Sequence, residues 1–195
     1  ATNWRAIEFY RQEFGVQRAV LPRVLSATQV ARLIKRTSVE IEVFGFGSLC
    51  VMAEGRCALS SFATGHSLNT QGVCSPAHAV RWEETPAGRQ SRLNDILIDR
   101  YAPGEAAGYP TLCKGRFRVN DIVFHALEEP TSLNALGVLP TLAASGVKAI
   151  KVEGRQRSPA YVGQVTRLLR RALDLCDDAA AEWTPPVEMI GELDA

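Results

Sequence analysis

Apolar positions recur at helical spacing in the opening of the chain: Trp4, Ile7, Phe9, Tyr10 and Phe14 follow Thr2 or Asn3 as N-cap and stop at Gly15. This pattern predicts an amphipathic helix. A short apolar run over 17–22 comes next. Ser26 with Gln29 then makes a capping box, and Leu25 and Val30 sit where a hydrophobic staple packs, so a second helix is expected to about Arg36. Residues 39–46 switch to β-branched and aromatic side chains and are closed by Gly45, Gly47 and Ser48, which reads as a buried strand entering a loop. Such alternation of helix and strand is the rhythm of a parallel α/β sheet.

From 49 to about 113 the periodicity breaks into Gly, Ser, Asn and Pro clusters, which predicts a loop-rich insert. Residues 112–119 and 122–127 read as a β-hairpin turned at Asn120 and Asp121, residues that tolerate positive φ. Pro130, Thr131 and Ser132 are expected to open a helix that Gly146 ends, and 147–152 is a short parallel-type strand. Ser158 caps a last long helix, with Pro159 at its first position and Val162, Val165, Leu169, Ala172 and Cys176 along one face. The tail after about Asp178 is Ala-rich and then broken by Pro185 and Pro186, so its order depends on docking. The chain therefore divides into α/β units over 1–48, a cysteine-bearing loop region over 49–113, a hairpin with closing βα units over 114–178, and a tail over 179–195.

Composition adds little to this picture except by exclusion. With 46% hydrophobic and 22% charged residues the chain has enough apolar surface for a core. Its 22 Lys and Arg nearly cancel 21 Asp and Glu, and a net charge of +1 favours no nucleic-acid partner. No apolar stretch is long enough to span a membrane and the opening residues lack a signal peptide's pattern, so a cytoplasmic location is expected.

The cysteines carry the candidate chemistry. Cys50, Cys57, Cys74 and Cys113 are spaced C-x6-C-x16-C-x38-C, unlike the paired C-x2-C of zinc ribbons or the compact run of bacterial ferredoxins. Four thiolates suit either zinc or an iron–sulfur cluster, and unrelated buried thiols are the third reading. Gly47, Gly55, Gly65 and Gly72 relax the backbone around three of the four, as wrapping a compact centre requires. Cys176, on the apolar face of a helix, reads as a core residue. No H-E-x-x-H zinc site and no G-x-S-x-G elbow is present, so nothing indicates a hydrolase, and Gly45-Phe46-Gly47 lacks the third glycine of a dinucleotide fingerprint. His78, four residues after Cys74, could replace a thiolate at zinc, His66 reads as solvated, and His125 falls where α/β enzymes place functional groups.

Several stretches around these residues resemble the collagenase-like peptidase family, in its branch that serves ubiquinone biosynthesis: 42–50 (EVFGFGSLC), 54–61 (EGRCALSS), 72–76 (GVCSP), 80–82 (VRW), 107–116 (AGYPTLCKGR), 125–134 (HALEEPTSLN) and 151–161 (KVEGRQRSPAY). The resemblance implies a part of a TIM-like (β/α) barrel, carrying the cysteine-bearing insert and the hairpin. It implies one 4Fe-4S cluster on Cys50, Cys57, Cys74 and Cys113, and oxygen-independent hydroxylation in place of peptide hydrolysis. It further implies a heterodimer with a UbiV-like protein, a lipid-carrier accessory protein and prephenate as hydroxyl donor. Sister branches hydroxylate tRNA or ribosomal RNA, which is the second functional reading, and a structural zinc or scaffold module is the third. Against a dicarboxylate donor, Arg116, His125, Lys151, Glu153 and Arg155 are the expected substrate-binding residues, because forked guanidinium groups and an ammonium suit two carboxylates. A full barrel needs about 250 residues, so the chain is expected to be the carboxy-terminal half of a longer protein.

Overall fold

The computed structural model describes residues 1–53, 55–154, 157–179 and 183–194. In chain order the elements are α1 (Trp4–Phe14), β1 (Arg18–Val20), α2 (Ala27–Ile34), β2 (Glu40–Ser48), α3 (Ala58–Thr64), β3 (Val80–Thr85), β4 (Gly88–Leu93), β5 (Ile96–Tyr101), β6 (Phe117–Val119), β7 (Ile122–Phe124), β8 (Ser132–Asn134), α4 (Leu139–Ser145), β9 (Ala149–Val152), α5 (Pro159–Ala179) and α6 (Val187–Asp194). They form two compact units, one of Ala1–Ser48 with Ser132–Ala195 and the other of Leu49–Thr131.

The first unit is built around β2. Strands β1 and β9 each pair with it in parallel, and β8 pairs antiparallel with its end, Phe46 facing Asn134. Helices α1 and α2 form for the expected reasons. The Asn3 carboxamide accepts the Ala6 N–H at 2.9 Å, Gly15 closes α1 at φ 66°, and the Ser26–Gln29 box is reciprocal at 2.8 and 3.3 Å. Ile7, Leu21, Val30, Leu33, Ile41, Val43 and Leu142 make one core, and Phe46, Leu136, Leu139, Val165, Leu168, Leu169, Ala172 and Met189 make a second. Truncating a fully buried side chain such as Ile41 to Ala costs about 2–5 kcal/mol. Met189 on α6 packs into the second core.

Gly45 and Gly47 shape the end of β2. A β-carbon on Gly45 would collide with the Ile150 side chain, and the register between β2 and β9 shifts at this point. Gly47 sits at φ +146° under the Glu153 side chain, a conformation and an approach that only glycine accepts.

Two regions differ from the sequence expectation. Pro130, Thr131 and Ser132 do not open a helix: Ser132–Asn134 is strand β8, a 3₁₀ turn follows at Leu136–Val138, and α4 begins only at Leu139. Backbone pairing with Phe46–Ser48 overrides the local N-terminal signal. The insert is also more regular than loop-rich, because the second unit contains α3 and an antiparallel β3–β4–β5 sheet. Its Gly and Asn punctuation marks hairpin turns: Gly88 lies at φ +118° and Asn94 at φ 50°. The expected hairpin forms as β6 and β7 with Asn120 and Asp121 at φ 49° and 65°. The fold is mixed α/β, and among the described residues the three parallel strands belong to an open sheet, with no closed barrel.

Candidate functional site

All four spaced cysteines lie in the second unit, each partly buried and none in a disulfide. Cys57 is the N-cap of α3, and its sulfur accepts the Ser60 N–H at 3.3 Å. Ser60 itself is buried, and its hydroxyl donates to the Cys74 carbonyl at 2.6 Å. The next residue continues the chain of bonds: the Ser75 N–H donates to the Tyr109 hydroxyl at 3.0 Å, that hydroxyl donates back to the Ser75 carbonyl at 3.0 Å, and the Ser75 hydroxyl donates to the Pro110 carbonyl at 2.5 Å. Pro110 leads into the 3₁₀ turn Leu112–Lys114 that carries Cys113, and α3 packs against this turn. Hydrogen bonds therefore tie together the segments holding Cys57, Cys74 and Cys113.

The other side of the Cys113 turn is held by the hairpin's exit. Glu128 N–H donates to the Cys113 carbonyl at 3.1 Å, and His125 Nδ1 bonds the Lys114 carbonyl at 2.9 Å, which requires the proton on Nδ1. His125 thus braces a cysteine-bearing turn. Cys50 lies in the preceding loop with its thiol directed to the Met52 carbonyl at 3.4 Å, and Asn69 fastens that loop by donating to the Gly55 carbonyl at 3.1 Å. His66 and His78 are exposed. Burial pushes the Tyr109 phenol above its ordinary range, and the negative charge of Cys74 pushes the same way.

Among the described residues no three His, Cys, Asp or Glu side chains stand close enough to hold one metal ion. A single zinc draws every thiolate to about 2.3 Å, and that gathering is not preformed. Four partly buried thiols in one unit, none in a disulfide and one already accepting a backbone N–H, are a soft donor set of the kind that zinc and iron–sulfur clusters both take.

Arg116 is engaged in the second unit by Asp99 at 2.7 Å, Glu105 at 3.0 Å and the Arg100 carbonyl, and Asp99 holds its guanidinium pKa up. In the first unit Lys151 stands 3.8 Å from Glu42 and over the Phe44 ring at 5.7 Å. The Glu153 carboxylate accepts the Ser48 N–H at 3.0 Å and pairs with Arg23 at 3.0 Å. Arg155 lies outside the described residues. Arg23 is the residue that sequence reasoning missed: its side chain is 7% exposed and its guanidinium lies 3.8 Å from the Phe44 ring centre. Its position just after β1, at the carboxyl end of a parallel strand, was the available signal.

A mixed α/β chain with a separate four-cysteine unit is the class of protein these features define. The profile of Peptidase family U32 matches residues 1–193, and the chain belongs to that family. It is similar to tRNA hydroxylation protein P1 of Bacillus subtilis (strain 168), with 26% identity over 99% of this chain and 40% of that protein. It is also similar to tRNA hydroxylation protein P of Escherichia coli (strain K12), 29% identical over 93% of this chain and 43% of that protein. A third relative, named collagenase, from Porphyromonas gingivalis (strain ATCC BAA-308 / W83), is 27% identical over 99% of this chain and 41% of its own length. The chain spans about four tenths of the length of these curated relatives. No solved structure matches it.

Proposed function

We propose that this chain is the cluster-bearing part of an RNA hydroxylation protein, with Cys50, Cys57, Cys74 and Cys113 holding one 4Fe-4S cluster. The observation that carries the reading is the hydrogen-bonded linkage of the Cys57, Cys74 and Cys113 segments, in a chain similar over nearly its whole length to proteins named for tRNA hydroxylation. When bound, such a cluster supplies one-electron transfer at a potential set by its charge, its burial and the hydrogen bonds to its sulfurs. The chain's own contribution is to hold the thiolates: Ser60 N–H bonds the Cys57 sulfur, the Ser60 hydroxyl holds the Cys74 carbonyl, and Ser75, the next residue, is tied to Pro110. The relatives' names move RNA ahead of the ubiquinone reading that the sequence favoured.

The second reading is a UbiU-type component of oxygen-independent ring hydroxylation in ubiquinone biosynthesis, working with a UbiV-like partner, a lipid-carrier accessory protein and prephenate. The stretches around the four cysteines, 42–50 and 107–116 above all, support it. Both readings take the protein to be cytoplasmic and not a peptidase. Among the described residues no helix is long and apolar enough to cross a membrane.

Two measurements test the proposal. Anaerobic purification should yield a brown protein with about four irons and four sulfides per chain, where a colourless zinc protein would sink the cluster. Nucleoside mass spectrometry of tRNA from cells lacking the protein should show loss of a hydroxylated nucleoside. Unchanged tRNA with a missing hydroxylated quinone precursor would replace the first reading by the second.

A further inference from the structure

The β3–β4–β5 sheet has two unlike faces. Leu93 and Ile98 turn one side into the core of the second unit, together with Ala63 and Ala79. On the other side the register sets Arg81 of β3 directly opposite Arg92 of β4, and sets Gln90 of β4 between Glu83 of β3 and Arg100 of β5. Three arginines and one carboxylate therefore share a face. Arg81 and Arg100 are exposed, and Arg92 is partly so.

Like charges directly opposite in an antiparallel pair destabilise it, so the Arg81–Arg92 juxtaposition is a cost to the sheet. Arg92 is partly offset: its Nε lies 3.6 Å from Glu83 and its Nη1 donates to the Asp95 carbonyl at 2.8 Å. Arg81 and Arg100 have no carboxylate in ion-pair range among the described residues. Neighbouring strands lie about 4.8 Å apart and diagonal positions about 7–8 Å, which is the scale that separates neighbouring phosphates along a nucleic-acid strand. Guanidinium forks bind such oxygens bidentately. Besides the arginines the face carries Glu83, Thr85, Gly88, Gln90 and Leu97, with no exposed aromatic to enter a membrane.

We infer that this sheet face binds the phosphodiester backbone of the RNA through Arg81, Arg92 and Arg100. The inference rests on the RNA reading above and names the surface that would serve it. The sequence hid the surface because net charge averages it away: +1 over the chain, yet three arginines against one acid on this face.

The test uses the 195-residue chain loaded anaerobically with iron and sulfide, and unfractionated tRNA as probe. Affinity is measured over a salt series for the wild type and for R81Q, R100Q and the double variant. Iron content and circular dichroism of each variant establish that the fold and cluster are intact. Removing one arginine–phosphate ion pair should reduce the steepness of log affinity against log salt by about one unit, so the double variant falls by about two. Wild type and double variant binding tRNA with the same affinity and slope would overturn this assignment and leave the RNA reading standing. Absence of tRNA binding by the wild type would overturn both. Binding to phosphatidylserine vesicles without binding to tRNA, abolished in the same variants, would overturn the RNA assignment of this face in favour of a membrane.

Discussion

The Ser60 hydroxyl donates to the Cys74 carbonyl at 2.6 Å, while the Ser60 N–H donates to the Cys57 sulfur at 3.3 Å. One residue in the first turn of α3 thus fixes two of the four cysteine segments, although Cys57 and Cys74 are separated by 16 residues. Replacing Ser60 by Ala keeps the N–H bond and removes the other, leaving the Cys74 carbonyl without this partner. The expected loss is about 1–3 kcal/mol of stability, together with faster bleaching in air. Urea unfolding and the decay of visible absorbance check the two effects separately.

The five cysteines should separate into two groups. In the cluster-free chain Cys50, Cys57, Cys74 and Cys113 are partly exposed and should react quickly with a thiol reagent. Cys176, buried in the apolar face of α5 with its thiol pKa pushed up by burial, should react only when the protein unfolds. Cys176→Ala should keep its iron, whereas Cys57→Ala should lose it, and iron analysis of the purified variants reads the difference.

Glu153 closes the end of β2 by taking the Ser48 N–H and the nearly buried Arg23 on one carboxylate oxygen. Glu153→Ala leaves Arg23 without that carboxylate beside Phe44, and is expected to cost on the order of 1–3 kcal/mol. Gly47→Ala should cost a similar amount, about 1–3 kcal/mol, because φ +146° strains any β-carbon and Glu153 already fills the space. Denaturant midpoints of the two variants check both values.

Burial pushes the Tyr101 and Tyr109 phenols above their ordinary value of 10.0. The folded chain therefore keeps these protons at a pH where the unfolded chain releases them. Their contribution to stability is fully present below pH 10.0 and is lost as pH rises through the folded-state values. Unfolding free energy should fall as pH is raised from just below 10.0 to well above it, and less steeply in Tyr101→Phe. An equally steep fall in that variant would show that other groups govern alkaline unfolding.

The sequence alone determined what depends on neighbours along the chain. The α1 cap, the Ser26–Gln29 box, the Asn120–Asp121 turn and the apolar face of α5 each need only residues a few positions apart, and each formed as read. The α/β character of the chain was legible in the same way. Tertiary structure alone decided the rest, because long-range partners outweigh local preference. Pairing with Phe46–Ser48 made β8 a strand in place of a helix start, and antiparallel pairing turned charged stretches read as loop into β3, β4 and β5. No spacing rule could reveal that Ser60 bonds Cys74, that Arg23 lies over Phe44, or that Arg81 faces Arg92, since folding brings each pair together across 11 to 21 positions of chain.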